Sequence, residues 1–150
     1  MAHFIFKLDG VLRHRKNIEH ERQRELAVVR TTMTLLEQQL AALDAEVKAS
    51  NDGVREKHLT GPLDLAFLAA HRRYLAATHR RALELAQKMA GVQRQVDAAR
   101  QALAEAARDR KVLEKLRENQ QEIWRQSLKQ REMAEQDEIT MQMSYRKTEP

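Results

Sequence analysis

Residues 26–47 read LAVVRTTMTLLEQQLAALDAEV, and within them Leu26, Val29, Met33, Leu36, Leu40, Leu43 and Val47 follow one another at alternating spacings of three and four. That period of 3.5 residues is a heptad seam, which keeps one apolar stripe turned toward a partner helix along its whole length. Arg30, Glu37, Gln38, Gln39, Asp44 and Glu46 lie between the seam positions, so the stripe is narrow and the rest of the helix is wet. Such a helix cannot bury its seam alone and needs another helix.

Composition agrees with this. The chain has 150 residues, of which 42% are hydrophobic, 33% charged and 4% aromatic, with 4 Gly and 2 Pro. That is the profile of long helices rather than of a packed α/β core, and a two-helix coil leaves no room for a deep substrate pocket. The absence of cysteine removes disulfides, thiolate catalysis and zinc–thiolate sites. No apolar run approaches the roughly 18 residues of a membrane helix, and Lys7 interrupts the apolar start where a signal peptide would be continuous. The expectation is a cytoplasmic protein. The net charge of +5 raises the possibility of nucleic acid or an anionic membrane as partner. Basic and acidic residues are interleaved, however, and no basic region adjoins a zipper, so specific nucleic-acid binding is not expected.

Upstream of the seam, Phe4, Phe6 and Leu8 form a short apolar lead-in to Asp9, a helix N-cap candidate. The seam traces back through Arg22, Ile18, Arg15, Val11 and Leu8, with two successive spacings of four forming a stutter and with the stems of Arg15 and Arg22 snorkelling along the stripe. Downstream, Ser50–Gly53 and Thr60–Pro62 are breaker clusters. A turn is expected over about residues 55–61, centred near His58, between a first helix over about 8–54 and a second over about 62–141, with a frayed tail over 142–150.

The second helix carries a seam of its own, through Leu68, His71, Leu75, Thr78, Ala82, Leu85, Met89, Val92, Val96, Ala99, Leu103, Ala106, Arg110 and Leu113. Two heptad runs around one turn predict an all-α fold, a long antiparallel two-helix coiled-coil hairpin forming a single domain over 1–150. A parallel dimer through residues 26–47 is the rival architecture. A turn at His58 sets Leu43 opposite the Leu75 region, Leu26 near Met89 to Val92, and Leu12 near Leu103 to Ala106. The second helix then overhangs its partner by roughly 30 residues from Leu113, or about 45 Å at 1.5 Å per residue. In that overhang Trp124 has no intramolecular partner and is a candidate anchor for another protein.

Catalytic patterns fail on spacing. The histidines at 3, 14, 20, 58, 71 and 79 never recur at three or four residues, so they cannot form a helical metal pair. The glycines stand singly at 10, 53, 61 and 91, which excludes a phosphate loop. Neither an enzymatic activity nor a cofactor is expected.

The two ends of the chain carry a resemblance. Phe4-Ile5-Phe6-Lys7-Leu8 with Val11, Leu12 and Arg15, together with residues 110–116 (RKVLEKL), Glu132 and Asp137-Glu138-Ile139, resembles the FliJ family of flagellar export proteins over nearly the whole chain. Gln136 stands where the family usually has an apolar residue before its acidic pair. The resemblance implies a hairpin similar to the central stalk of rotary ATPases. It implies a cytoplasmic component of the type III export apparatus, peripheral at the inner face of the cell membrane and monomeric alone. Its partners would be the hexameric export ATPase, the export-gate membrane protein and export chaperones. The ring-binding residues it implies are Phe4, Phe6, Leu8, Arg108, Arg110, Lys111, Leu113, Lys115, Leu116, Arg117, Trp124, Glu132, Asp137 and Glu138. Tyr74 alone carries over from the family's gate-contacting stripe. The alternatives are a stalk from a virulence-type secretion system and a structural dimerisation coil.

Overall fold

A computed structural model describes residues 3–57 and 59–147. They form two long helices and no strand: α1 (Asp9–Lys57) and α2 (Leu65–Lys147). Contacts gather the chain into two compact units: unit 1, Met1–His20 with Glu105–Pro150, and unit 2, Glu21–Ala104.

Unit 2 contains the seam that opened the sequence reading. Leu26 is buried, Val29, Met33, Leu36, Leu40, Leu43 and Val47 are half-buried, and every other residue from 27 to 46 is exposed. On α2 the seam from Leu68 through Leu103 is likewise buried or half-buried at every position named above. No side chain of the described residues is sealed completely, because a pair of helices encloses a line rather than a volume. Thr78, the buried polar member, keeps its hydroxyl satisfied by donating to the Tyr74 carbonyl at 3.0 Å.

The turn differs from the sequence expectation in a way that moves the register. Ser50–Gly53 does not break α1, which runs on to Lys57. Ser50 Oγ lies 3.3 Å from His71 Nδ1, Asn51 Oδ1 lies 3.1 Å from His71 Nε2, and Val54 is buried one turn later. These tertiary contacts outweigh weak helix propensity. The chain reverses after Lys57, aided by Gly61 at φ 115°, a left-handed conformation that suits glycine. Asp64 then caps α2, its carboxylate accepting from the Phe67 amide at 3.1 Å. Pro62 therefore precedes the helix instead of opening it. His58, the expected turn centre, lies outside the described residues.

Unit 1 pairs the start of the chain with the later part of α2. Asp9 meets Arg117 at 3.7 Å, Arg15 meets Asp109 at 3.0 Å and Lys16 meets Glu114 at 3.6 Å, an antiparallel arrangement. Leu12 lies between Asp9 and Arg15, so α2 passes it in the stretch 109–117 and not at Leu103 to Ala106 as a turn at His58 would give. The later connection accounts for the shift. The phase of the seam changes too: Phe6 and Leu12 are buried, whereas Leu8 and Val11 are exposed. Leu12, Glu19 and Leu26 follow one another at an unbroken spacing of seven, so no stutter is needed; Ile18, beside Glu19, is half-buried as well, whereas Arg22 is exposed. Leu8 supplies the first helical carbonyl, accepting from the Leu12 amide at 2.9 Å, and Asp9 sits inside the first turn, not at the cap. Its charge still suits the positive end of the helix.

Candidate partner-binding surface

The expected binding residues divide into those that hold unit 1 together and those that face solvent. Phe4 and Trp124 pack against each other, ring centroids 6.0 Å apart at 51°, a tilted pair within the favourable range. Trp124 is thus half-buried against the lead-in, correcting the expectation that it has no intramolecular partner. The lead-in runs along α2 beyond the first turn of α1, so the paired region extends past Leu113. Phe6 is buried and Leu113 half-buried, which also gives both an internal role.

Arg110 is the most committed of the basic set. Its Nε donates to Glu19 and its Nη1 to Glu114, with the side chains of Arg110 and Glu19 only 21% and 14% exposed. The hydrogen bond to Glu19 raises the Arg110 pKa; partial desolvation opposes this, and the coulombic pull of Glu19 and Glu114 adds to it. A raised pKa contributes stability that is complete below the ordinary value and is lost only as pH climbs through the raised one. Arg110 therefore remains charged, and its pairing intact, across the physiological range. Arg15 does not simply snorkel, since it pairs with Asp109, while Arg22 is exposed and binds Glu25 at 2.8 Å on its own helix.

The remaining residues form the accessible face. Arg108, Lys111 and Lys115 are exposed and have no ion-pair partner among the described residues, and Arg117 is exposed with its one contact to Asp9. Leu8, Leu116, Glu132, Asp137 and Glu138 are exposed as well, and from Lys129 to Arg146 every residue is. Val112 and Ile123, absent from the expected binding set, are exposed at 67% and 66%. With Leu116 they stand four and seven residues apart, a second apolar stripe one position out of phase with the buried seam. The spacing was there to be read, but Leu113 and Trp124, which belong to the inner stripe, masked it. Tyr74 lies in unit 2, exposed, its ring 6.2 Å from that of His71.

Among the described residues there is no cluster of metal-binding side chains and no helix long and apolar enough to cross a membrane. The family model described as "Flagellar FliJ protein" matches residues 4–149. The chain belongs to the FliJ family. No curated protein and no solved structure matches it. Membership implies a component of flagellar type III export, and the lead-in and basic segment that carried the resemblance lie together in unit 1.

Proposed function

We propose that this FliJ protein acts as a cytoplasmic stalk, monomeric alone, that binds and stimulates the hexameric flagellar export ATPase. The observation that carries the reading is the exposed stripe Val112, Leu116 and Ile123 beside the unpaired Arg108, Lys111 and Lys115. A stalk changes turnover only by favouring the competent arrangement of the ring, which requires contacts that differ between its states. Apolar burial supplies most of the energy of such a contact, while the basic residues set encounter rate and orientation. Phe4, Phe6, Arg110, Leu113 and Trp124 serve the same interface by holding the lead-in against α2. Glu132, Asp137 and Glu138 extend it along a C-terminal overhang. The protein also contacts the export gate, with Tyr74 as the candidate residue, assists export chaperones, and works peripherally at the inner face of the cell membrane.

The test is stimulation of the cognate ATPase. Leu116→Ala with Ile123→Ala should weaken it at any salt concentration, and Lys111→Glu with Lys115→Glu mainly at low salt, since screening removes exposed charge effects. A chain ending at Leu128 keeps the Phe4–Trp124 pair and should lose part of the stimulation. Full stimulation by all three variants would remove unit 1 as the ring-facing element and turn attention to residues 51–62. Deleting the gene in its host separates the flagellar reading from a virulence-type system: normal swimming would exclude the former.

A further inference from the structure

Between Asp64 and Glu84 the chain has no acidic residue, and within that span it carries His71-Arg72-Arg73 and, eight positions on, His79-Arg80-Arg81. All four arginines are exposed and none has an ion-pair partner among the described residues. Elsewhere along the two helices acidic residues are interspersed among the bases, as Glu105, Asp109, Glu114 and Glu118 are around Arg108, Lys111 and Lys115. Measured from the buried seam, Arg73 and Arg80 take the outermost heptad position, seven residues or about 10 Å apart. Arg72 and Arg81 flank them, and the exposed residues between Arg73 and Arg80 include the small Ala76 and Ala77 beside Tyr74 and His79. Just before this helix and at its first residue, Leu63 and Leu65 are 59% and 75% exposed, and Leu83 is exposed just past the second basic cluster.

We infer that the first turns of α2, with the connection before them, dock directly on the surface of an anionic phospholipid bilayer. Arg73 and Arg80 stand at the position farthest from the seam, away from the groove beside Leu75 and Ala82, and their charges need no particular register. Fluid lipid phosphates move to meet such charges, whereas the exposed leucines can enter the headgroup boundary as they do in interfacial helices. Nucleic acid is less well served, because the arginines are not interleaved with stacking platforms along a groove. The inference stands on charge and exposure in unit 2 alone and is independent of the stalk reading.

Flotation of the full-length protein with phosphatidylcholine vesicles, with and without phosphatidylglycerol, tests it. The protein should float with the anionic vesicles and not the neutral ones, and raising the salt should release it. Each basic residue near a charged surface is worth about a fivefold change in partition, so Arg73→Gln with Arg80→Gln should reduce binding by at least ~10-fold. These positions face outward, and an unchanged helical circular-dichroism signal verifies folding. Leu63→Ser with Leu65→Ser should weaken binding at low and high salt alike. Lys111→Gln with Lys115→Gln, in unit 1, should leave it unchanged. Equal binding to both vesicle types, or no loss in the arginine variant, overturns the proposal. So does failure to float combined with arginine-dependent binding to polyglutamate, which would assign the face to an acidic polypeptide.

Discussion

In unit 2 the seam of α1 is filled by Leu26, Val29, Met33, Leu36, Leu40, Leu43 and Val47; in unit 1 the same spacing places Leu12, Arg15 and Glu19. Apolar positions that repeat so evenly make many registers nearly equivalent. A glutamate held by an arginine from the other helix does not slide, because moving either partner by one turn strands a half-buried charge. Unit 1 adds the Phe4–Trp124 pair, a single bulky contact with one good geometry. Unit 2 has a counterpart of smaller size in His71, which bridges Ser50 and Asn51 beside the connection. The continuous leucine seam thus supplies burial, and the polar and aromatic exceptions fix alignment.

The largest effect expected is all-or-none. Ser50→Cys with His71→Cys, joined by a short bismaleimide, should crosslink within one chain, since the native side chains approach to 3.3 Å. Products linked only between chains would support the parallel dimer and remove the antiparallel pairing of unit 2.

Truncating seam residues gives the next largest change and asks whether all positions count equally. Leu12 and Leu26 are 2% and 6% exposed, and each changed to Ala should cost about 2–3 kcal/mol in denaturant unfolding. Leu40 is half-buried on an open groove of about 760 Å³ shared with Leu75, Thr78 and Ala82, so Leu40→Ala should cost about 1 kcal/mol. Equal losses at the three sites would mean that the groove is closed in solution.

Much of this was legible in the sequence, and the failures share a cause. The two seams could be read because each repeats over many turns, and later residues correct an ambiguous early one. The phase at the N-terminus could not, since Val11 and Leu12 are adjacent and both apolar, and tracing the stripe through Ile18 chose the wrong one. Continuing it through Glu19 requires knowing that Arg110 waits across the interface. Ser50–Gly53 reads as a breaker until His71 is seen to occupy its side chains. The partner of Trp124 was hidden because the lead-in before Asp9 has no helical period from which to extrapolate. The resemblance grouped buried and accessible residues in one candidate set, and exposure was needed to sort internal anchors such as Phe6 from accessible residues such as Lys111.

The ion cluster offers a subtler test of the register argument. Glu19→Met and Arg110→Met should each lower amide protection over residues 9–20 and 105–117, because each leaves the other partner short of a hydrogen bond. The double variant should recover part of the loss. Additive losses would show that the two residues act independently and that the pair does not align the helices.

The smallest effect compares glycines in the two units. Gly91 lies well inside α2 in unit 2, and Gly10 is in the first turn of α1 in unit 1. A methyl group added at either would meet nothing within 4 Å, and neither has a positive φ, so packing and backbone strain drop out of the comparison. What remains is the conformational freedom that glycine loses on entering a helix, roughly 0.5–1 kcal/mol relative to alanine in an interior. Gly91→Ala should therefore stabilise the protein by about that amount. Gly10→Ala should do less, because the first turn is already half-open to water and frays without disturbing the buried seam. If Gly91→Ala instead destabilised the chain, a close approach of the helices around Val92 that leaves no room for the methyl would have to exist in solution, and the two-helix packing of unit 2 would be tighter there than its half-buried seam implies.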